Sequence, residues 1–235
     1  MSGGAKRPAE RLTLFDLDNT LLGGDSDYGW AQFMIEQGAV DAEDYERRNA
    51  EFFADYKAGR LDIHAFLEFQ LRPLADNEPE VVFAWRERFI AEKIRPMLLP
   101  AGRKIVDERL AAGDLVAVVT ATNSFITRPI AALYGISHLV ASEPEVIAGR
   151  FTGRLSGEPC FHAGKLACLN TWLGGLSRTL SDFAESWFYS DSHNDLPLLL
   201  AVTHPVAIDP DPVLAAEAAA RGWPIASWRE APSGR

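Results

Sequence analysis

Two aspartates, Asp16 and Asp18, stand one residue apart within the run LTLFDLDNTLL at 12–22. Leu12, Leu14, Phe15 and Leu17 make the lead-in apolar, and turn-prone Asn19 follows. A short apolar run that breaks into polar residues predicts a buried strand over 12–18 opening onto a loop. In a parallel sheet, ligands collect beyond the carboxyl ends of the strands. Two acids crowded at such an edge demand either a raised pKa or a cation. A hard divalent ion held by oxygen atoms meets that demand.

Two more predicted strands deliver polar side chains to the same edge. LVAVVT at 115–120 is a β-branched run, and Thr120 closes it. The apolar run 187–189 leads into Ser190, Asp191, Ser192, His193, Asn194 and Asp195. Lys165, just after Gly164 at the start of a predicted helix, places an ammonium within reach of an anion there. Carboxylates for a metal, one hydroxyl and one lysine suit phosphoryl transfer, in which the phosphoryl oxygens must be neutralised and oriented. One carboxylate can act as nucleophile. Another can protonate the leaving oxygen and then activate water. Taken singly, Thr120 reads as a strand residue, Lys165 as a solvated lysine, and Asn194 and Asp195 as helix caps. Their joint occurrence carries the functional reading.

The elements that must position these groups alternate. After the first strand, four helical patterns run from about Tyr28 to Met97 with no strand between them, rich in aromatics such as Trp30, Phe33, Phe52 and Phe66. This block has the size of a small lobe, its aromatics forming the lobe's core, and Pro96 and Pro100 punctuate its end. Beyond it, helices and strands alternate, with a hairpin over 145–157 and a last short strand over 224–228. The expected fold is α/β: a doubly wound, mainly parallel sheet with an inserted all-helical cap. Residues 1–26 and 100–235 form the core, and 27–99 the cap. Residues 1–10 read as a loose charged lead-in.

Composition bounds the partners. The 235 residues carry a formal charge of −10. A field of that sign disfavours nucleic acid and anionic membrane, and obliges any phosphate site to supply its own positive charge. The two cysteines, Cys160 and Cys168, form no CxxC and suit free thiols in a reducing compartment. With no apolar leader or spanning segment, the expected location is the cytoplasm. His64 and His193 read as surface residues.

These motifs together resemble the haloacid dehalogenase-like hydrolases. DLDNT at 16–20 resembles the family's DxDx[TV] motif, VVT at 118–120 the second motif, Lys165 the third and SDSHND at 190–195 the fourth. The resemblance spans nearly the whole chain, and the helical lobe resembles the cap of the phosphoserine phosphatase-like branch. It implies Mg²⁺ as cofactor and a small-molecule phosphomonoester as substrate. It also implies roles: Asp16 as nucleophile and metal ligand, and Asp18 as acid/base, lending its carbonyl to the metal. Asp191 would be a further ligand. Thr120, Lys165 and Asn194 would hold the phosphate, with Asp195 supporting them. Asp25 lies where that branch meets the substrate's amino group with a glutamate, and Thr120-Ala121 replaces the branch's serine-glycine pair. Both departures weigh against phosphoserine itself. The expected substrate is a small phosphorylated amine or amino acid: histidinol phosphate, whose ring would stack on cap aromatics, with phosphoserine and phosphoethanolamine as others. Two rivals use the same aspartate. One is a receiver-like module that only accepts the phosphoryl group; the other is a phosphotransferase.

Overall fold

The computed structural model describes residues 11–229; the predicted lead-in over 1–10 lies outside them. Six parallel strands form one sheet in the order β3-β2-β1-β6-β7-β8. They are β1 (Arg11–Phe15), β2 (Leu115–Asn123), β3 (His138–Ser142), β6 (Glu185–Ser190), β7 (His204–Ile208) and β8 (Ile225–Ala226). The predicted hairpin is present as antiparallel β4 (Pro144–Ile147) and β5 (Arg150–Leu155). The sheet is flanked by α5 (Pro100–Ala111), α6 (Ser124–Leu133), α7 (Ala163–Gly175), α8 (Leu196–Leu199) and α9 (Pro212–Arg221). The helices α1 (Ser26–Glu36), α2 (Ala42–Lys57), α3 (Ile63–Asp76) and α4 (Pro79–Phe89) are inserted between β1 and β2. Among the described residues no helix is long and apolar enough to cross a membrane.

β1 is central, so its side chains are buried on both faces. Leu12 and Leu14 pack with Leu169 and Leu173 of α7, and with Leu214 of α9. Phe15, of opposite parity, joins the other cluster with Val106, Ile130 and Trp228. The strand stops at Phe15 rather than Asp18, because Asn19 takes a left-handed φ of 58° and the amides of Leu21 and Leu22 fold back onto the Leu17 carbonyl. β2 runs three residues beyond Thr120, to Asn123, so Thr120 lies inside the strand. Its register against β3 shifts between Val119 and Asn123, which opens the ladder beside the site. Trp30 and Phe33 do not form an isolated lobe core. They share the main cluster with Phe15, Leu21 and Phe125, so the insert is joined to the sheet by packed aromatic rings.

The opposite edge of the sheet is held by Asp114. Its buried carboxylate accepts from Arg11 Nε at 2.7 Å and from Thr13 Oγ1 at 2.8 Å. Asp114→Ala leaves the Thr13 hydroxyl unpaired and Arg11 without its acid. Because Arg11 is partly exposed, a loss of about 2 kcal/mol is expected, lowering Tm by roughly 4–8 °C. Activity per folded molecule stays the same, since Asp16 sits at the other end of β1. A thermal melt paired with an assay on the refolded variant checks both halves.

Candidate active site

The loop after β1 gathers the acids. The Asp16 amide donates to the Tyr189 carbonyl at 2.9 Å, continuing the β1–β6 ladder by one residue. The turn at Asn19 then returns Thr20 beneath it. Thr20 Oγ1 lies 3.2 Å from Asp16 Oδ2 and 3.3 Å from Asp191 Oδ1, and accepts from the Asp191 amide at 3.1 Å. One buried hydroxyl thus stands between two carboxylates from adjacent strands. Sequence spacing alone does not reveal this bridging position of Thr20.

Lys165 reaches the same carboxylate from α7. Its side chain is 5% exposed, and Nζ donates to Asp16 at 2.7 Å and to Asp195 at 2.8 Å. Asp195 in turn accepts from the Ser190 hydroxyl at 2.7 Å. Gly164 allows this placement: a Cβ there would lie 2.2 Å from the Pro159 carbonyl oxygen, so no larger residue lets the loop pass so close to the helix start. Thr120 is buried, accepts from the Thr122 amide at 3.2 Å, and lines the same cavity as Asn194 and Asp191.

Asp18 is held by contacts that spacing does not reveal. Its Oδ1 accepts from the Ser26 amide at 2.6 Å, and its Oδ2 lies 2.8 Å from Thr122 Oγ1. The same hydroxyl lies 3.0 Å from Asp27 Oδ2. Thr122 has a single proton to donate, so its contacts with two carboxyl oxygens require one of those acids to carry a proton. Asp25 caps α1, accepting from the Tyr28 amide at 2.9 Å; it also borders the cavity.

The electrostatics agree with that proton count. Burial, only partly offset by Lys165, lifts Asp16 to about 7. Burial and then Asp25 lift Asp18 to about 6. Burial followed by Asp16 lifts Asp191 to about 9. Asp27 is raised well above the carboxylate range, and Asp25 is raised, in both cases chiefly by burial. Seven aspartates and one lysine, Lys165, line a cavity of about 550 Å³. A phosphate dianion cannot enter such a field unless a cation accompanies it. The donors are carboxylate oxygens, which suit a hard cation. Among the described residues no three such side chains converge as a closed metal cage. Mg²⁺ needs none, since it keeps several waters and binds through one or two carboxylates plus substrate phosphate. The residues present therefore fit the ion.

The insert supplies the facing wall. Phe52 packs on the insert's own cluster with Tyr45 and Phe69, as expected, and with Phe66 it also borders the cavity, their rings edge-on at 5.4 Å. Tyr56 crosses to the sheet, its hydroxyl 3.2 Å from Ser192 Oγ. His64 is exposed as expected. His193 is not a plain surface residue: it is half-buried at the cavity, with Nδ1 2.8 Å from Asp211. Cys160 and Cys168 are free thiols.

Residues 13–200 match the model of the haloacid dehalogenase-like hydrolases. The chain belongs to this family. It is 42% identical, over 94% of its length and all of the relative's, to a histidinol-phosphatase of Neisseria meningitidis. A crystal structure of a Bordetella pertussis protein of unknown function superposes with a TM-score of 0.90 at 48% identity, covering 94% of this chain and all of that one. A substrate-bound phosphoserine phosphatase superposes with a TM-score of 0.67 at 20% identity over 95% of both chains, a likeness of fold.

Proposed function

We propose that this hydrolase is a Mg²⁺-dependent phosphatase that cleaves a small phosphorylated amine through a phosphoaspartyl intermediate, with histidinol phosphate as the leading substrate. That the chain is a phosphatase follows from its family together with its histidinol-phosphatase relative. The observation that carries the mechanism is Lys165 Nζ at 2.7 Å from Asp16, with Asp191 on the far side of Thr20. In this reading residues 1–26 and 100–235 are the catalytic core and 27–99 the cap. The free thiols and the acidic surface suit a cytoplasmic enzyme without nucleic-acid or membrane partners.

Asp16 attacks phosphorus, forming the Oδ–P bond as the ester oxygen leaves. Asp18, its pKa raised to about 6 chiefly by burial, gives a proton to that oxygen. Asp18 then takes a proton from water as the water oxygen bonds phosphorus and the Asp16–P bond breaks. Lys165, Thr120 and Asn194 hold the phosphoryl oxygens, and Asp195 orients Lys165. Asp16, Asp191 and the Asp18 carbonyl would hold Mg²⁺. When bound, the ion supplies positive charge to the phosphoryl oxygens. Asp25, whose Oδ1 caps α1, offers its remaining oxygen to the substrate's nitrogen end.

The test is phosphate release by the full chain with Mg²⁺ from histidinol phosphate, phosphoserine, phosphoethanolamine and p-nitrophenyl phosphate. Histidinol phosphate should exceed p-nitrophenyl phosphate in kcat/KM by about 100-fold or more. Chelation should abolish turnover, and added Mg²⁺ restore it. Uniformly weak turnover would remove the substrate class. A long-lived phosphoprotein that releases no phosphate would favour the receiver-like rival, and transfer to an added alcohol the phosphotransferase.

A further inference from the structure

Two buried polar atoms at the insert side of the cavity have no hydrogen-bond partner: Asp27 Oδ1 and Gln70 Nε2. Buried atoms of this kind cost free energy unless a ligand or ion meets them. Both residues line the cavity and are nearly inaccessible, at 8% and 1% exposure. Each is pinned from one side. Thr122 Oγ1 lies 3.0 Å from Asp27 Oδ2, and the Tyr45 hydroxyl donates to Gln70 Oε1 at 3.1 Å. Tyr45 itself does not line the cavity, so it holds the amide of a cavity-lining residue from the side away from the cavity. The two residues are neighbours across Tyr45, whose hydroxyl pKa is raised by burial and then by the Asp27 carboxyl. Whichever acid beside Thr122 is protonated, Asp27 Oδ1 remains an acceptor, because the proton bridging to Thr122 sits on Oδ2 or on Asp18. Phe66 precedes Gln70 by one helical turn, and its ring meets that of Phe52 from α2.

The geometry points to Asp27 and Gln70 as the specificity-determining pair, an acceptor and a donor that together select a planar, neutral nitrogen heterocycle with one N–H and one ring-nitrogen lone pair. An imidazolyl group has this pattern. An ammonium has donors only and leaves the Gln70 N–H unmet. An amino-acid head group brings an acceptor, but as a carboxylate, and among the described residues no arginine lines the cavity to neutralise it beside seven aspartates. The Phe52 and Phe66 rings, packed edge-on against each other, add an apolar wall on which a flat ring can rest. This inference rests on the phosphatase reading for its place in the reaction, and on none of it for binding.

Three variants and two readouts test it. Gln70→Met removes the donor at similar length. It should raise KM for an imidazolyl-alkyl phosphate and lower kcat/KM by about 10- to 100-fold, while p-nitrophenyl phosphate changes less than about 3-fold. Gln70→Glu keeps the acceptor for Tyr45 but withdraws the N–H donor. Its imidazolyl-to-aryl kcat/KM ratio should recover below pH ~6.5, where the ring gains a second N–H, a shift that simple loosening of the fold does not produce. Asp27→Asn should lower the same ratio. Separately, the dephosphorylated imidazolyl alcohol should bind the unmutated protein without metal, by calorimetry, and bind Gln70→Met at least about 10-fold more weakly. An unchanged ratio in a folded Gln70→Met, or equal affinity for the alcohol, overturns the pair. Binding without phosphate release from any ester removes the phosphatase reading and leaves the pair standing.

Discussion

Asp16→Asn is expected to abolish phosphate release, lowering kcat/KM by at least about 10⁴-fold, the scale on which loss of a covalent nucleophile registers. The amide keeps the shape of the carboxylate and an oxygen to accept from Lys165, so the 2.7 Å contact has a substitute. What disappears is the nucleophilic charge and, with it, the acyl-phosphate bond. Stability should move the other way. Burial holds the Asp16 carboxyl at about 7, against an ordinary 3.8. The folded state therefore binds a proton that the unfolded state releases, and stability falls as pH rises from about 4 to 7 and then levels off. Asparagine has no such charge to bury. The metal-free variant should melt at or above the unmutated protein at pH 8, and it should trap no acid-stable phosphoprotein when incubated with a labelled ester. Retention of more than about 1% of the activity, in a preparation shown free of the unmutated chain, would remove Asp16 from the nucleophile's position.

The side chains that such variants touch differ in how visible they were before any coordinates. Asp16 and Asp191 lie far apart in sequence, yet a parallel sheet puts the carboxyl ends of its strands on one edge, so their meeting follows from topology; Lys165 joins them from the first turn of α7. Their partners did not follow. Thr122 meets Asp18 because the β2 ladder loosens between Val119 and Asn123, an irregularity that a smooth β-branched run does not announce. The same irregularity is why Thr120 lies three residues short of its strand's end. Phe52, Phe66 and Gln70 expose a second limit. Helical periodicity identifies the face turned away from solvent, but packed core and ligand cavity bury that face alike. A glutamine four residues after a phenylalanine reads as an ordinary helix position until its amide is seen 1% exposed against Tyr45. Asp25 was legible both as a cap and as a substrate contact. The cap is present, and of Asp25 and Asp27 it is Asp27 that carries a buried oxygen without a hydrogen-bond partner.

Lys165→Met is expected to lower kcat/KM by about 10³-fold and to make stability depend on pH in a way the unmutated protein does not. The activity loss follows from removing the one lysine or arginine that lines the cavity among the described residues, a donor to the reacting carboxylate. The stability effect comes from what is left behind. Burial disfavours the ammonium, but Asp16 and Asp195 outweigh it and hold Lys165 above the ordinary lysine range. A group raised in this way contributes its stability fully below the unfolded lysine pKa, so the unmutated protein has that contribution at every pH from 5 to 8. In the variant the Asp16 carboxyl loses its largest charge-stabilising neighbour and moves further up from about 7. Its folded form then holds a proton across the whole interval, while the unfolded chain releases it above about 4. Stability of the variant must fall as pH rises. Breaking a buried pair costs about 3–5 kcal/mol when the remaining charge cannot escape; protonation of Asp16 provides that escape, at a cost in stability that grows from pH 5 to pH 8. The gap in Tm between the two proteins, both free of metal, should widen by roughly 4–8 °C between those values, the equivalent of about 2 kcal/mol for a chain of this size. A gap that stays constant with pH, together with kcat/KM within about 10-fold of the unmutated protein, would place the ammonium outside the charge balance of Asp16.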